Sequence, residues 1–245
     1  MMPSDHPYIT FFIPAYNEQE HLVVTVKETV TMLDQITQDF ELLLLDDGST
    51  DTTGTLADDL AREDPRIRVY HNDTNRGYGY TCKRAIGEAH GQYVGWVSAD
   101  TLWDPEVLRE VILSLGHADI ITTYPTNPQE RSPLRRYISN SFTHLLNFLF
   151  GLKMKYYNGG CFHKGELIKA LDIYSPGLTL WAEILVRLSR QGCTCQEIGM
   201  RNLERKYNKS KAFSCRNIFG TLKIVFVLLW IVYVRDKGER NEKKS

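Results

Sequence analysis

Apolar and polar positions switch between two rhythms along the first hundred residues. Ile9-Thr10-Phe11-Phe12-Ile13 is a short apolar run that breaks at Pro14-Ala15-Tyr16-Asn17-Glu18. Leu22, Val23, Val26, Val30 and Leu33 then recur at helical spacing, and Asn17 is expected to cap that helix. Leu42-Leu43-Leu44-Leu45 reads as a strand buried on both faces. It passes abruptly into Asp46-Asp47-Gly48-Ser49-Thr50-Asp51, where Ser49 or Asp51 can cap the next helix. Tyr93-Val94-Gly95-Trp96-Val97 is a third strand, ending in Ser98-Ala99-Asp100. Asn75-Arg76-Gly77-Tyr78-Gly79 is a glycine-rich turn that opens a helix over 80–90. Strands that end in polar turns, each followed by a helix, predict a βαβαβ plan with a parallel sheet. Ligands of such sheets bind just beyond the carboxyl ends of the strands, where the two adjacent Asp place charge and acceptors.

The second half is less regular. From Leu134 to Gly151, Leu134, Ile138, Phe142, Leu145, Leu146 and Leu149 recur on one helical face, with Arg131, Arg135 and Arg136 at its start and Lys153 and Lys155 after its end. This helix is either a core element or an interfacial one whose arginines present planar forks to phosphate oxygens. Tyr156-Tyr157-Asn158-Gly159-Gly160 is a glycine turn, and Leu180 to Arg187 reads as a helix with Glu183 near its first turn.

Charge changes the picture at the C-terminus. Residues 201–245 carry 12 Lys or Arg against 4 Asp or Glu, leaving 17 against 26 in the first 200, so a net charge of −1 hides a basic tail. Inside that tail Ile224 to Val234 is 11 residues without a charge. Extended back to Ile218 it spans about 25 Å as a helix, short of the roughly 30 Å hydrocarbon core. Both flanks are basic, which suits a segment lying in a membrane surface on anionic lipid; a single span and a core or oligomer helix are the other placements. The charged parts of the tail lack interleaved aromatics, so nucleic acid is not expected as a partner. The first ten residues lack the basic start and apolar stretch of a secretory signal. The 42% hydrophobic content is ordinary for a globular domain, and five Cys without a framework spacing read as reduced thiols.

The order Pro-Ala-Tyr-Asn-Glu, Leu-Asp-Asp-Gly-Ser-Thr-Asp, Asn-Arg-Gly-Tyr-Gly and Ser-Ala-Asp resembles glycosyltransferase family 2, and within it the dolichyl- or polyprenyl-phosphate sugar synthases. The resemblance covers residues 8–215. It implies a GT-A, Rossmann-like α/β fold with a mostly parallel sheet flanked by helices, to which the basic apolar tail is expected to add an amphipathic, membrane-associating C-terminal helix. It also implies a UDP- or GDP-linked sugar donor and inverting transfer. The expected division is a GT-A domain over 1–212 (a nucleotide-sugar half 8–125, an acceptor half 126–212) and a basic apolar tail over 213–245.

The resemblance further implies residue roles. Pro14, Tyr16 and Glu18 line the base and ribose pocket, Asp47 reads a base N–H, and Asp46 holds nearby structure. Arg76 and Ser98 lie on the donor side. Asp100 holds a divalent cation, Mg²⁺ or Mn²⁺, with Asp104 in reserve, because Ser98 stands where the family's first Asp of Asp-x-Asp stands and Leu102 where a Gln is frequent. Arg131, Arg135 and above all Arg136 meet an acceptor phosphate. Glu204 to Lys211 resembles the family's diphosphate loop, with Arg205, Ser210 and Lys211 matching and Asn208 in place of Gly.

The acceptor can be argued from chemistry. A phosphate monoester is mostly dianionic at pH 7 and needs no base, whereas a sugar hydroxyl does. Glu183 is the one candidate base after residue 150. A polyprenyl phosphate acceptor at the cytoplasmic face of a membrane is therefore expected, with a glycan hydroxyl served by Glu183, or a non-catalytic nucleotide-sugar-binding protein, as the alternatives.

Overall fold

The computed structural model of the protein describes residues 8–97, 103–177, 179–201 and 225–235. Among these, seven strands form one sheet: β1 (Ile9–Ala15), β2 (Phe40–Asp46), β3 (Ile67–His71), β4 (Tyr93–Trp96), β5 (Ile120–Pro125), β6 (Cys161–Lys164) and β7 (Cys195–Met200). The spatial order is β3-β2-β1-β4-β6-β5-β7. Every neighbouring pair is parallel except those made by β6, which runs antiparallel to both β4 and β5. The helices are α1 (Leu22–Asp34), α2 (Thr53–Glu63), α3 (Tyr78–Glu88), α4 (Pro105–Ser114), α5 (Pro133–Phe150), α6 (Gly165–Lys169) and α7 (Thr179–Arg190).

The leucine run explains the layering. Leu42 and Leu44, with Phe11 and Ile13 of β1, enter the core beneath α1, α2 and α4. Leu43 and Leu45, with Phe12, enter the core beneath α3, α5, α6 and α7. Successive strand residues point to opposite faces, so a strand that feeds two cores must be apolar throughout. The short β3 escaped this reading because it is an edge strand interrupted by Arg68, which ion-pairs with the buried Glu41 at 2.9 Å.

Several elements differ from their expected form. Asn17 does not cap α1: it adopts φ 54°, and His21 precedes the helix without a side-chain cap. Helix α5 is rotated relative to the expected apolar face. Leu146 is buried and Phe142 and Leu149 pack on the core, but Leu134 and Leu145 point outward with Tyr137 and Phe148. Positions 134, 137, 145 and 148 make one exposed apolar stripe at helical spacing.

The C-terminal segment 225–235 packs into the core that α5 and α7 cover, with Leu146 and Phe150. It is helical from 225 to 230 and continues as a π turn over Ile231–Arg235. Val225, Leu228, Ile231 and Val232 are buried, whereas Phe226, Trp230 and Val234 are exposed. The Tyr233 ring stacks on Phe150 at 6.0 Å, and its hydroxyl donates to the Leu149 carbonyl at 2.5 Å. No described helix is long and apolar enough to cross a membrane.

His163 of β6 is fully buried, stacked 6.1 Å from Trp181, and neither ring nitrogen has a hydrogen-bond partner among the described residues. Burial pushes its pKa down to about 3. The unfolded chain binds this proton below about pH 6.5 and the folded chain does not until near pH 3, so stability falls as pH drops through that window. We expect urea unfolding to lose about 2 kcal/mol from this residue between pH 7.5 and pH 5. His163→Phe should remove that share of the acid dependence.

Candidate functional site

The carboxyl ends of β1, β2, β4 and β5 lie on one edge of the sheet, and the polar turns gather there. The turns after β1 and β2 are knitted together. Asn17 Oδ1 accepts from Thr50 N at 2.9 Å, Asn17 N donates to Ser49 Oγ at 3.0 Å, and Glu18 N donates to Thr53 Oγ1 at 2.8 Å. Asn17 thus uses its positive φ to cap the neighbouring turn rather than its own helix; short polar side chains tolerate that conformation. Pro14, which has no N–H to give, sits beyond Phe12, where pairing of β1 with β4 ends. Tyr16 is exposed at the rim.

Asp46 and Asp47 are both buried, and strand alternation sends them opposite ways. Asp46 Oδ1 accepts from Ser49 N at 3.0 Å, and its Oδ2 lies 2.9 Å from His71 Nδ1. The other His71 nitrogen lies 3.1 Å from Asp58. The Asp46 hydrogen bond, aided by Asp58, holds the His71 pKa above its ordinary value. Asp47 Oδ1 accepts from Asn72 Nδ2 at 2.7 Å and Arg76 N at 2.9 Å, and its Oδ2 accepts from Gly77 N at 2.8 Å. An ionised carboxylate has about four lone-pair sites, so Asp47 retains one while carrying the glycine turn. The Arg76 guanidinium is exposed and lies 4.8 Å from the Tyr80 ring centre. Gly48 has φ 69°, and a Cβ there would sit 2.4 Å from the Thr74 carbonyl carbon.

A second locus lies at the end of β5. A cavity of about 110 Å³ is lined by Arg131, Arg136, Ser139, Asn140, Lys155 and Tyr156, among others. Ser132 caps α5, accepting from Arg135 N, so Arg136, Ser139 and Asn140 share the helix face toward the cavity. Arg131 Nη1 donates to the Tyr156 hydroxyl at 3.1 Å, and Lys155 Nζ lies 4.2 Å from the Tyr124 ring centre. The expected trio of arginines is therefore divided: Arg131 and Arg136 line the cavity and Arg135 does not. Ser139, Asn140 and Lys155 were not expected there, although 139 and 140 stand three and four residues from Arg136, the helical signal that places them beside it. Because β6 runs antiparallel, the turn that precedes it also arrives at this edge. A Cβ on Gly159 would lie 1.8 Å from the Thr123 carbonyl oxygen, so no side chain fits.

Glu183 is placed otherwise than a base would be. It is fully buried on α7. Its carboxylate accepts from Tyr174 N at 3.0 Å and Ser175 N at 2.7 Å, and lies 3.3 Å from Arg187 Nη1. Asp104, the reserve metal carboxylate, caps α4 by accepting from Glu106 N at 3.0 Å. Among the described residues no three His, Cys, Asp or Glu side chains converge as a metal site. Ser98, Asp100, Arg205, Ser210 and Lys211 lie outside the described residues.

Comparison with known proteins decides the family. The family model for glycosyl transferase family 2 matches residues 10–166. This chain belongs to glycosyltransferase family 2. It is 28% identical over 242 residues to glycosyltransferase AglD of Haloferax volcanii, covering 95% of this chain but only 38% of that protein. It is 28% identical to the undecaprenyl-phosphate mannosyltransferase of Micrococcus luteus, covering 93% of this chain and 96% of the relative. An undecaprenyl-phosphate 4-deoxy-4-formamido-L-arabinose transferase of Pseudomonas fluorescens is 31% identical, with 89% and 64% covered. The chain thus spans less than two thirds of several relatives. Among solved structures, glucosyl-3-phosphoglycerate synthase of Mycobacterium tuberculosis, in complex with Mn²⁺, UDP and glucosyl-3-phosphoglycerate, superposes with a TM-score of 0.65 at 17% identity. It covers 92% of this family 2 chain and 80% of its own. That likeness establishes the fold, a GT-A-like mostly parallel α/β sheet.

In this family 2 chain Asp47 carries two backbone N–H groups, so Asp47→Asn puts an NH₂ where an acceptor is needed. We expect Asp47→Asn to lower the unfolding free energy by about 1–3 kcal/mol. Asp58→Asn, which breaks only an exposed contact to His71, should cost under about 1 kcal/mol. Urea titrations of both variants measure the difference.

Proposed function

We propose that this glycosyltransferase moves a hexose from a UDP- or GDP-linked sugar to a polyprenyl or dolichyl phosphate, with inversion, at the cytoplasmic face of a membrane. The observation that carries the reading is the cavity of Arg131, Arg136 and Lys155 on the same sheet edge as the Asp46–Asp47 turn. Its three cations suit a dianionic phosphate. The names of the undecaprenyl-phosphate transferases that resemble this chain support the same acceptor class.

In this reading the donor base and ribose lie against Pro14, Tyr16 and Glu18, with the free lone pair of Asp47 turned to a base N–H. Arg76 and Ser98 flank the donor, and Arg205, Ser210 and Lys211 meet its diphosphate. The described residues do not themselves form a metal site, and a divalent Mg²⁺ or Mn²⁺ is left to Asp100 with substrate phosphates and water. Such an ion would offset charge on the departing diphosphate. An oxygen of the acceptor phosphate attacks the anomeric carbon, and the bond from that carbon to the diphosphate oxygen breaks with its electron pair. The dianion has no proton to lose, so no base is required. A hydroxyl acceptor would need one, and the buried, fully bonded Glu183 has no open face to serve it.

The exposed stripe of Leu134, Tyr137, Leu145 and Phe148, together with Phe226, Trp230 and Val234 of the C-terminal segment, supports attachment in the plane of a membrane surface. In this reading α5 carries both features, the exposed stripe on one flank and the cavity-lining Arg136 on another.

The first test is nucleoside diphosphate release across a panel of nucleotide sugars, with and without polyprenyl phosphate, in Mg²⁺, Mn²⁺ or chelator. Release that requires the lipid phosphate is expected; release that requires a sugar hydroxyl, or none with any donor, overturns the reading. Arg136→Ala should raise the acceptor KM about tenfold or more while leaving the donor KM unchanged. Arg135→Ala, outside the cavity, should change it less than about twofold. Replacing Tyr137 and Phe148 together by Glu should weaken sedimentation with anionic vesicles by about tenfold or more.

A further inference from the structure

The C-terminal segment meets the rest of the protein through a polar contact that transfer chemistry does not use. Arg235 Nη2 donates to Asp172 Oδ2 at 2.8 Å, its Nη1 donates to the Tyr174 hydroxyl, and its guanidinium lies 4.9 Å from the Tyr174 ring centre. Asp172 and Tyr174 belong to an aperiodic stretch, 171–177, between α6 and α7. From the inner side this stretch is held by Glu183, which takes the Tyr174 and Ser175 amides, and by Arg187, which donates to the Asp172 carbonyl at 2.6 Å.

The far end of the stretch touches the first turn of α3. A Cβ on Gly79 would lie 2.5 Å from the Pro176 carbonyl carbon and 2.9 Å from Gly177 N. That turn follows directly on Arg76 and Gly77, whose amides hang on Asp47. Trp181 Nε1 donates to the Tyr78 hydroxyl at 3.0 Å and closes the circuit from α7 to α3. Contacts therefore run without a break from the apolar tail segment, through 172–177, to the turn at the end of β2.

We propose that Arg235 is a positioning residue. By gripping Asp172 and Tyr174 it sets the 172–177 stretch against the first turn of α3, so that docking of the C-terminal segment tunes affinity for the nucleotide-sugar donor. The donor's identity rests on the function proposed above; the mechanical link does not. Asp172 is 74% exposed, and an ion pair with so open a partner adds little to global stability. Its effect is on where an aperiodic stretch rests, a local equilibrium separate from unfolding.

The experiment compares the full chain with Arg235→Ala, with the charge swap Arg235→Asp plus Asp172→Arg, and with Gly79→Ala, which pushes on Pro176 from the α3 side. Amide hydrogen exchange at Tyr174 and Ser175 should quicken about tenfold in Arg235→Ala with the urea midpoint unchanged, and return toward the native rate in the swap. Donor KM should rise about fivefold in Arg235→Ala and in Gly79→Ala, with kcat within about twofold and vesicle sedimentation of Arg235→Ala unchanged. Unchanged exchange in Arg235→Ala overturns the inference, as does altered exchange with an unchanged donor KM. A fall in vesicle binding that alone accounts for the KM change also overturns it and makes Arg235 a lipid-facing cation. Exchange that responds as expected, with no donor turned over by the native chain, refutes the proposed function and leaves the mechanical link standing.

Discussion

The geometry of the candidate site depends on one buried carboxylate. Asp47 stands one residue past β2, its own N–H still bonded to the Ala15 carbonyl, and its side chain carries the order further by accepting the Arg76 and Gly77 amides and the Asn72 side chain. An ionised acceptor with three short donors is stronger than a neutral one, and leaving such a group unpaired in the interior is costly. The consequence is positional. The glycine turn and the start of α3 are both referred to the end of a strand sealed in two cores. Asp46, facing the other way, does the same for Ser49 and His71.

The two halves of the edge are built by different means. On the β1–β2 side, turns are fastened to each other by side chains that cap a neighbour's backbone, as Asn17 and Ser49 do. On the β5–β6 side, Gly159 lets two backbones touch, and the cations come from α5 and the stretches on either side of it. Trp181 gathers Phe12, Trp96 and His163 around it, three residues from β1, β4 and β6, and bonds to Tyr78 of α3. The packing thus ties the strands between the two polar regions to α3 and α7.

Much of this was legible in the residues. The apolar runs of β1, β2 and β4, the Asp pair, the glycine turn and the basic start of α5 were visible because each is local and periodic. What escaped was set at a distance. The fate of Glu183 depends on two amides eight and nine residues upstream in a stretch with no period. The role of Asn17 depends on a turn 33 residues on. The rotation of α5 follows from which of two apolar arcs finds the core, and a helix with Leu, Phe and Tyr on most sides leaves that open until the sheet is in place. Strand β3 was missed because an edge strand tolerates Arg68, which a central strand would not.

The insertion of β6 between β4 and β5 has a consequence for biosynthesis. β4 and β5 are made early, yet neither can complete its pairing until Cys161–Lys164 has been synthesised. With 68 residues from the end of β4 to the end of β6, translation at roughly 5–20 residues per second leaves one edge of β4 unpaired for several seconds. That edge is Tyr-Val-Gly-Trp, short, apolar and uncharged, so the nascent chain carries a sticky strand for the interval. The glycine at its third position, against which Phe162 later packs, weakens the strand while it waits.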